Sequence, residues 1–350
     1  MKYIIITLIS LLSLSCNSQD RNLKNTDTDS ANKQAASFQI GQYVTGILED
    51  SKGDLWIGTI EKGMAKFDGH LLRYYTIADG LPSNRVTSVK EDGNGMLWFI
   101  TDDGISKYDG EKFTNYRIKQ DDFLANMVSQ FFIDSKGKFW IGTWGGVYQF
   151  DGKEFTHFPI PYPAVETRIN PDTKDWITGI KEDLDGNLWI SRDGYGIAKY
   201  DGISFTHYLK KDGLLSNNVT EVEIDNQHNL WVGMRNGAKD FLDQDKQTGK
   251  GGVNKLVGKT IISLPEIKVF NYDDVHEIHK DGDGNIWIGT KENGVYKFDG
   301  KEFKNYEVPI SIMSMANDKK GNLWLGGAGG LYKIYKHGKI VNVTTNGPWN

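Results

Sequence analysis

The chain reads as an all-β protein, a single seven-bladed β-propeller of four-stranded antiparallel blades. Three observations predict this. Seven of its ten tryptophans (Trp56, Trp98, Trp140, Trp189, Trp231, Trp287 and Trp324) sit between bulky apolar residues, as in Leu55-Trp56-Ile57 and Ile286-Trp287-Ile288. Their successive spacings are 42, 42, 49, 42, 56 and 37 residues, and a repeat of this length built from short strands is the signature of propeller blades. Finally, there are 40 glycines and 12% aromatic residues, with no helical period past residue 40.

The first 16 residues are a targeting segment. Lys2 supplies a positive charge, and Tyr3 to Leu14 is apolar but too short for a comfortable membrane span. The stretch ends Leu12-Ser13-Leu14-Ser15-Cys16 and resembles a bacterial lipoprotein signal. Small Ser15 fits that pattern, whereas Ser13 stands where a large aliphatic residue is usual. Cys16 is the only cysteine, so it is the expected lipidation site of an exported protein. A plain cleaved signal with an incidental cysteine is the alternative. Residues 17–36 are polar, without apolar periodicity, and read as a flexible tether.

Residues 37–350 hold the blades. The second is the most regular. Thr87 to Asp92 alternates polar and apolar, as a half-buried strand does. Gly93-Asn94-Gly95 turns the chain, and Leu97 to Ile100 is apolar throughout, a strand buried on both faces. Ile105 to Tyr108 follows, then the Asp109-Gly110 hairpin and a last strand, Lys112 to Tyr116. Asp50…Gly53, Asp134…Gly137, Asp183…Gly186, Asp281…Gly284 and Asp318…Gly321 repeat the first turn. Blade five has Asp225-Asn226-Gln227-His228 there instead, with no glycine, and an insertion at residues 242–265. Phe38 to Gln42 is placed as a candidate outer strand of blade seven. Asp183 to Asn187 and Asp281 to Asn285 have the flavour of calcium loops but lack the terminal glutamate and flanking helices of one, so they read as turns.

Net charge is −5 over 350 residues, which argues against nucleic acid, since that partner needs a basic face. Charges of both signs are interspersed, so no membrane-binding patch stands out. A large core removes the need for disulfides. A monomer without cofactors is expected.

The repeated Asp-x-x-Gly-x-Leu-Trp-Ile-Gly-Thr resembles the two-component regulator propeller repeat. So do the Gly-Val/Ile-x-Lys-Tyr/Phe-Asp-Gly that follows it and the linkers Asp79-Gly80-Leu81-Pro82 and Asp212-Gly213-Leu214-Leu215. The likeness covers about residues 43–346. It implies a ligand-binding sensor domain of the cell envelope, several relatives of which sense polysaccharide breakdown products. No kinase or DNA-binding region is read in these 350 residues. The resemblance therefore implies a freestanding binding protein, with a separate partner needed for any signal.

The short turns share one face of the ring, so a site is expected on the other. Loops between second and third strands bring Trp144, Arg192, Tyr195, Arg235 and Glu292 there. The long blade-three-to-four connection, residues 159–174, adds Pro161, Tyr162 and Pro163, with Trp176 just beyond. Innermost strands bring Gln130, Glu221, His276 and Glu277 to the channel mouth. Aromatic rings and arginines on blades three to five make a candidate platform for a sugar. The alternative is that Trp144 and Trp176 only pack the long loop against the ring. Glu277 and His279 share one side of a strand, which is similar to streptogramin lyases, propeller enzymes using histidines, a glutamate and magnesium. A second histidine would be needed, and His228 falls on the opposite face. A scaffold docking another envelope protein is the third reading, with the 242–265 insertion as its flap.

Overall fold

The structure, a computed structural model, describes residues 40–119, 121–165, 171–236, 239–240, 243–247, 249–263, 273–344 and 347. Cys16 and the tether lie outside the described residues. Seven four-stranded antiparallel sheets follow one another in chain order. Their innermost strands are Val44–Glu49, Val86–Glu91, Val128–Ile133, Ile177–Glu182, Val219–Ile224, Val275–Lys280 and Ser311–Asn317. Among the described residues, helix is confined to single turns such as Phe123–Asn126.

The repeated tryptophans are wedges between blades. Trp56 packs with Val86, Val89 and Phe99 of blade two, Trp98 with Val128 and Phe131 of blade three, and so on around the ring. Trp324 closes it, packing with Val44, Ile57 and Phe67 of blade one. Apolar area is thus buried at every joint, and the ring needs no shared sheet to close.

The aspartate six residues earlier orients each wedge. The indole Nε1 donates to Asp Oδ2 in all seven blades, at 2.8–3.1 Å. In the same turn Oδ1 accepts backbone N–H groups, as Asp281 does from Asp283 and Asn285. Both carboxylate oxygens are therefore spent inside the turn, which accounts for the calcium-like sequence. The glycine-free turn of blade five keeps the same shape by placing His228 at φ 65°. The glycine two residues beyond the tryptophan is demanded by the neighbour: at Gly289 a Cβ would lie 2.4 Å from Ile312 Cγ2 of the next blade.

Two expectations are corrected. Blade seven is complete with its own Ile340–Asn342 strand, as residues 339–343 lead one to expect, but residues 40–42 do not add a further strand at its outer edge. Phe38 and Gln39 lie outside the described residues. Ile40 instead crosses the blade-seven-to-one joint, donating to the Thr344 carbonyl at 3.0 Å with its side chain fully buried. The N–H of Gly329 donates to the Gln42 carbonyl nearby, at 2.8 Å. The blade-five insertion is also displaced from 242–265. Gly252–Val257 and Thr260–Ser263 are that blade's two outer strands, and the added hairpin, Lys239–Asp240 with Asp243–Gln247, precedes them.

Candidate ligand-binding channel

All seven innermost strands carry a β-bulge near their start. A bulge re-aims one side chain, and here that residue is Thr45, Thr87, Ser129, Thr178, Thr220, His276 or Met313. Four of the hydroxyls donate to the first carbonyl of the next blade at 2.6–2.7 Å: Thr45 to Val86, Ser129 to Ile177, Thr178 to Val219 and Thr220 to Val275. Thr87 makes a longer bond, 3.4 Å, to Val128. His276 Nδ1 lies 3.3 Å from Ser311 Oγ of blade seven. The bulge residues therefore fasten blades together.

The next alternate positions line the channel. Counting from the residue before each bulge, the third residues are Gly46, Ser88, Gln130, Gly179, Glu221, Glu277 and Ser314, and the fifth are Leu48, Lys90, Phe132, Lys181, Glu223, His279 and Ala316. A cavity of about 620 Å³ opens among them, lined by Gln130, Glu221 and Glu277 together with Trp176, Arg235 and His276. Two lysines the sequence reading missed, Lys90 and Lys181, join this wall.

Its electrostatics follow from burial. Glu221 is 9% exposed, and loss of hydration pushes its carboxyl up to about 7, against the pull of Lys181. Burial and the charge of Glu221 raise Glu277 well above the ordinary range. Burial opposes the charge of Lys181, but Glu223, 3.0 Å away, and Glu221 hold its pKa above normal. Lys90 has room for water around it yet lies among protein atoms, so burial and repulsion from Lys181 lower its pKa. Desolvation likewise depresses His276 and His279.

At the mouth, Trp144 and Trp176 stack with centroids 4.5 Å apart and planes at 19°. Both are half-buried. Arg235 lies over Trp176, 5.2 Å from the ring centre, and buried Asp193 holds it at 2.6 Å. Trp176 and Arg235 line the cavity, so Trp176 forms part of its rim, with Trp144 stacked against it.

Arg192 and Tyr195 are not brought to this rim. Arg192 ends a strand instead of standing in a loop. Its guanidinium lies under the rings of Tyr162 (4.5 Å) and Tyr195 (5.8 Å) in a separate side pocket with Ile160, Pro161 and Pro163. Glu292 spends its backbone N–H on Asp273 at 2.8 Å.

The arrangement bears on the lyase pattern as well. His279 Nε2 is 2.7 Å from Asn317 Oδ1, and His228 is exposed in the first turn of blade five, on the face away from the loops. Among the described residues no group of three His, Cys, Asp or Glu side chains is placed to hold a metal ion. Nor is any helix among them long and apolar enough to cross a membrane.

The two-component regulator propeller family model matches residues 39–61, 80–103, 122–145 and 270–292. The chain carries the repeats of this family. Each match covers the two innermost strands of a blade, in blades one, two, three and six, which are the segments holding the bulge, the Asp turn and the wedge. No curated protein matches the chain in sequence. Among solved structures, this propeller is similar to an extracellular domain described as that of a hybrid two component system from B. thetaiotaomicron. The TM-score is 0.65 at 24% identity, covering 84% of this chain and 39% of the other. An extracellular domain described as that of a one component system from the same organism gives 0.58 at 18%, covering 86% and 48%. This chain thus spans between two fifths and one half of their length. Virginiamycin B lyase from Staphylococcus aureus gives 0.62 at 12%, covering 82% and 92%. At these identities the likeness is one of fold.

Proposed function

We propose that this two-component regulator propeller is the ligand-binding part of an exported envelope sensor, lipid-anchored through Cys16, and that its ligand is an oligosaccharide bound across the channel mouth. The observation that carries the reading is the Trp144–Trp176 stack, with Arg235 clamped beside it, at the rim of the 620 Å³ cavity. An aromatic face offers a sugar ring apolar contact. Gln130, Glu221, Glu277 and Lys90 offer its hydroxyls donors and acceptors inside. Family membership and the extracellular domains of similar fold support the sensor class. Arg192 and Tyr195 have no part in this version of the site.

Titration calorimetry against a panel of neutral, acidic and amino oligosaccharides tests it. One class is expected to bind, with at least tenfold weakening in Trp176→Ala and in Glu277→Gln. Binding by none of the panel, or binding that both variants leave unchanged, sinks the reading. The anchor is tested separately: labelled palmitate enters the protein in cells and is lost in Cys16→Ser.

A further inference from the structure

The side pocket that holds Arg192 has chemistry of its own. Arg192 is 6% exposed, and its Nη2 donates to the Ile160 carbonyl at 3.1 Å. Its Nε and Nη1 have no acceptor. Among the described residues no carboxylate lies within ion-pair distance of it. Asp175 is the acid that acts on it electrostatically, and Asp175 accepts the hydroxyl of Tyr162. Tyrosine rings cover the guanidinium face, so only its edges remain open. Beside them is a cavity of about 10 Å³ walled by Pro161, Pro163, Ile190 and Ala198, with Tyr195 and His207 as its other polar neighbours.

A buried cation with idle N–H donors requires compensation. A water could find hydrogen-bond partners here but brings no charge, so it would leave the guanidinium uncompensated. A carboxylate or sulfate has several heavy atoms and needs more room than a single-atom ion. We propose that the pocket beside Arg192 is a binding site for a single halide-sized inorganic anion, which is the counter-charge of that guanidinium. Tyr162, 49% exposed, covers the guanidinium from outside, and its displacement admits the ion. The bound ion ties Pro161 and Tyr162 to blade four.

The test compares melting of the protein in sodium gluconate with sodium chloride or bromide at one ionic strength. The midpoint is expected to rise by about 2 °C with saturable dependence on the halide, and Arg192→Met is expected to melt alike in all three salts. Equal midpoints for the unaltered protein overturn the proposal, and so does an equal halide response in Arg192→Met. If that variant does not fold, bromide anomalous diffraction from the unaltered protein decides. A peak within hydrogen-bond reach of Nε or Nη1 supports the site, and its absence overturns it. Neither outcome depends on whether a sugar binds at the channel.

Discussion

Asp225 is the severest test of the idea that each turn aspartate orients its wedge. Its Oδ1 accepts the N–H groups of Gln227 (3.0 Å) and Asn229 (2.9 Å). Its Oδ2 accepts Trp231 Nε1 at 2.9 Å and pairs with Lys255 at 2.8 Å. Trp231 is fully buried, and the Lys255 side chain is 18% exposed. Asp225→Ala therefore orphans a buried indole N–H and a largely buried ammonium together. Breaking one partner of such a pair costs about 3–5 kcal/mol, or roughly 6–10 °C of melting temperature in a domain of this size. Asp134 is the internal control. It accepts Trp140 Nε1 at 2.9 Å and two backbone N–H groups, but no ion pair, because Gln149 stands opposite Trp140 where Lys255 stands opposite Trp231. Asp134→Ala should cost about 1–2 kcal/mol.

The charge gives a second readout. Burial opposes ionisation of Asp225, but Lys255, Asn229 and Trp231 outweigh it and hold the folded pKa at about 2, below an unfolded value of about 3.9. A depressed carboxylate contributes stability above the unfolded value and loses it as pH falls toward the folded one. The shift corresponds to about 2–3 kcal/mol at 1.4 kcal/mol per unit, and to about 1–2 once solvent screening at the turn's outer edge is allowed for. Differential scanning calorimetry of both variants, at pH 7 and from pH 4 to 2, measures it. The gap between unaltered protein and Asp225→Ala should narrow as acid is added. Equal losses in Asp225→Ala and Asp134→Ala, or a gap independent of pH, would refute the argument that the ion pair matters beyond the indole bond.

Three further outcomes follow from single positions. Gly289→Ala should lose about 1–3 kcal/mol by denaturant melt, because its Cβ meets Ile312 of the next blade, whereas Gly93→Ala, with nothing within 4 Å, should be near neutral. Thr178→Val should cost about 1–2 kcal/mol, since it leaves the Val219 carbonyl without its 2.6 Å donor at an inter-blade joint; no change in unfolding midpoint would dismiss the fastening role. Glu221, with a folded value near 7 above an unfolded value of about 4.3, binds more protons folded than unfolded between those limits. Stability should therefore fall as pH rises from about 4.3 to 7 and then level, and Glu221→Gln should flatten that slope in a pH series of melting curves.

The fold was legible because its signals are local and repeated seven times. The tryptophan spacing, the alternation of Thr87 to Asp92 and the Asp turns each report a structure that forms within one blade. Less legible was anything depending on register or on contact between blades. The bulges shift the innermost strands by one residue, so alternation alone does not say that Thr178 fastens while Glu221 faces the channel. Arg192 was assigned to the rim with Trp144, but it is the last residue of its strand and is buried. Lys90 and Lys181 looked like ordinary solvated lysines. Comparing the fifth residue of each innermost strand would have found them, since the other blades put Leu48, Phe132, Glu223, His279 and Ala316 there.

That comparison also separates what the ring needs from what it does not. The seven blades are seven versions of one structural problem, solved in one chain. Where packing decides, they agree: every wedge is tryptophan, every turn begins with aspartate, and most bulge residues carry a hydroxyl. At the third channel position they disagree. Gly46, Ser88, Gly179 and Ser314 show that a small residue suffices, while Glu221 and Glu277 bring carboxyls that burial pushes toward the neutral form. A buried ionisable group is a liability for stability unless something compensates it. Lys181 offsets part of this for Glu221, and Glu277 gets less help from either lysine than it loses to Glu221. Charge at these places is not a requirement of the propeller, since the five other blades do without it. Its presence on the adjoining blades five and six, under the tryptophan rim, agrees with the ligand site proposed above. The sharpest consequence is that Glu277→Ser, which copies blades two and seven, should stabilise the empty protein while weakening the oligosaccharide binding proposed above.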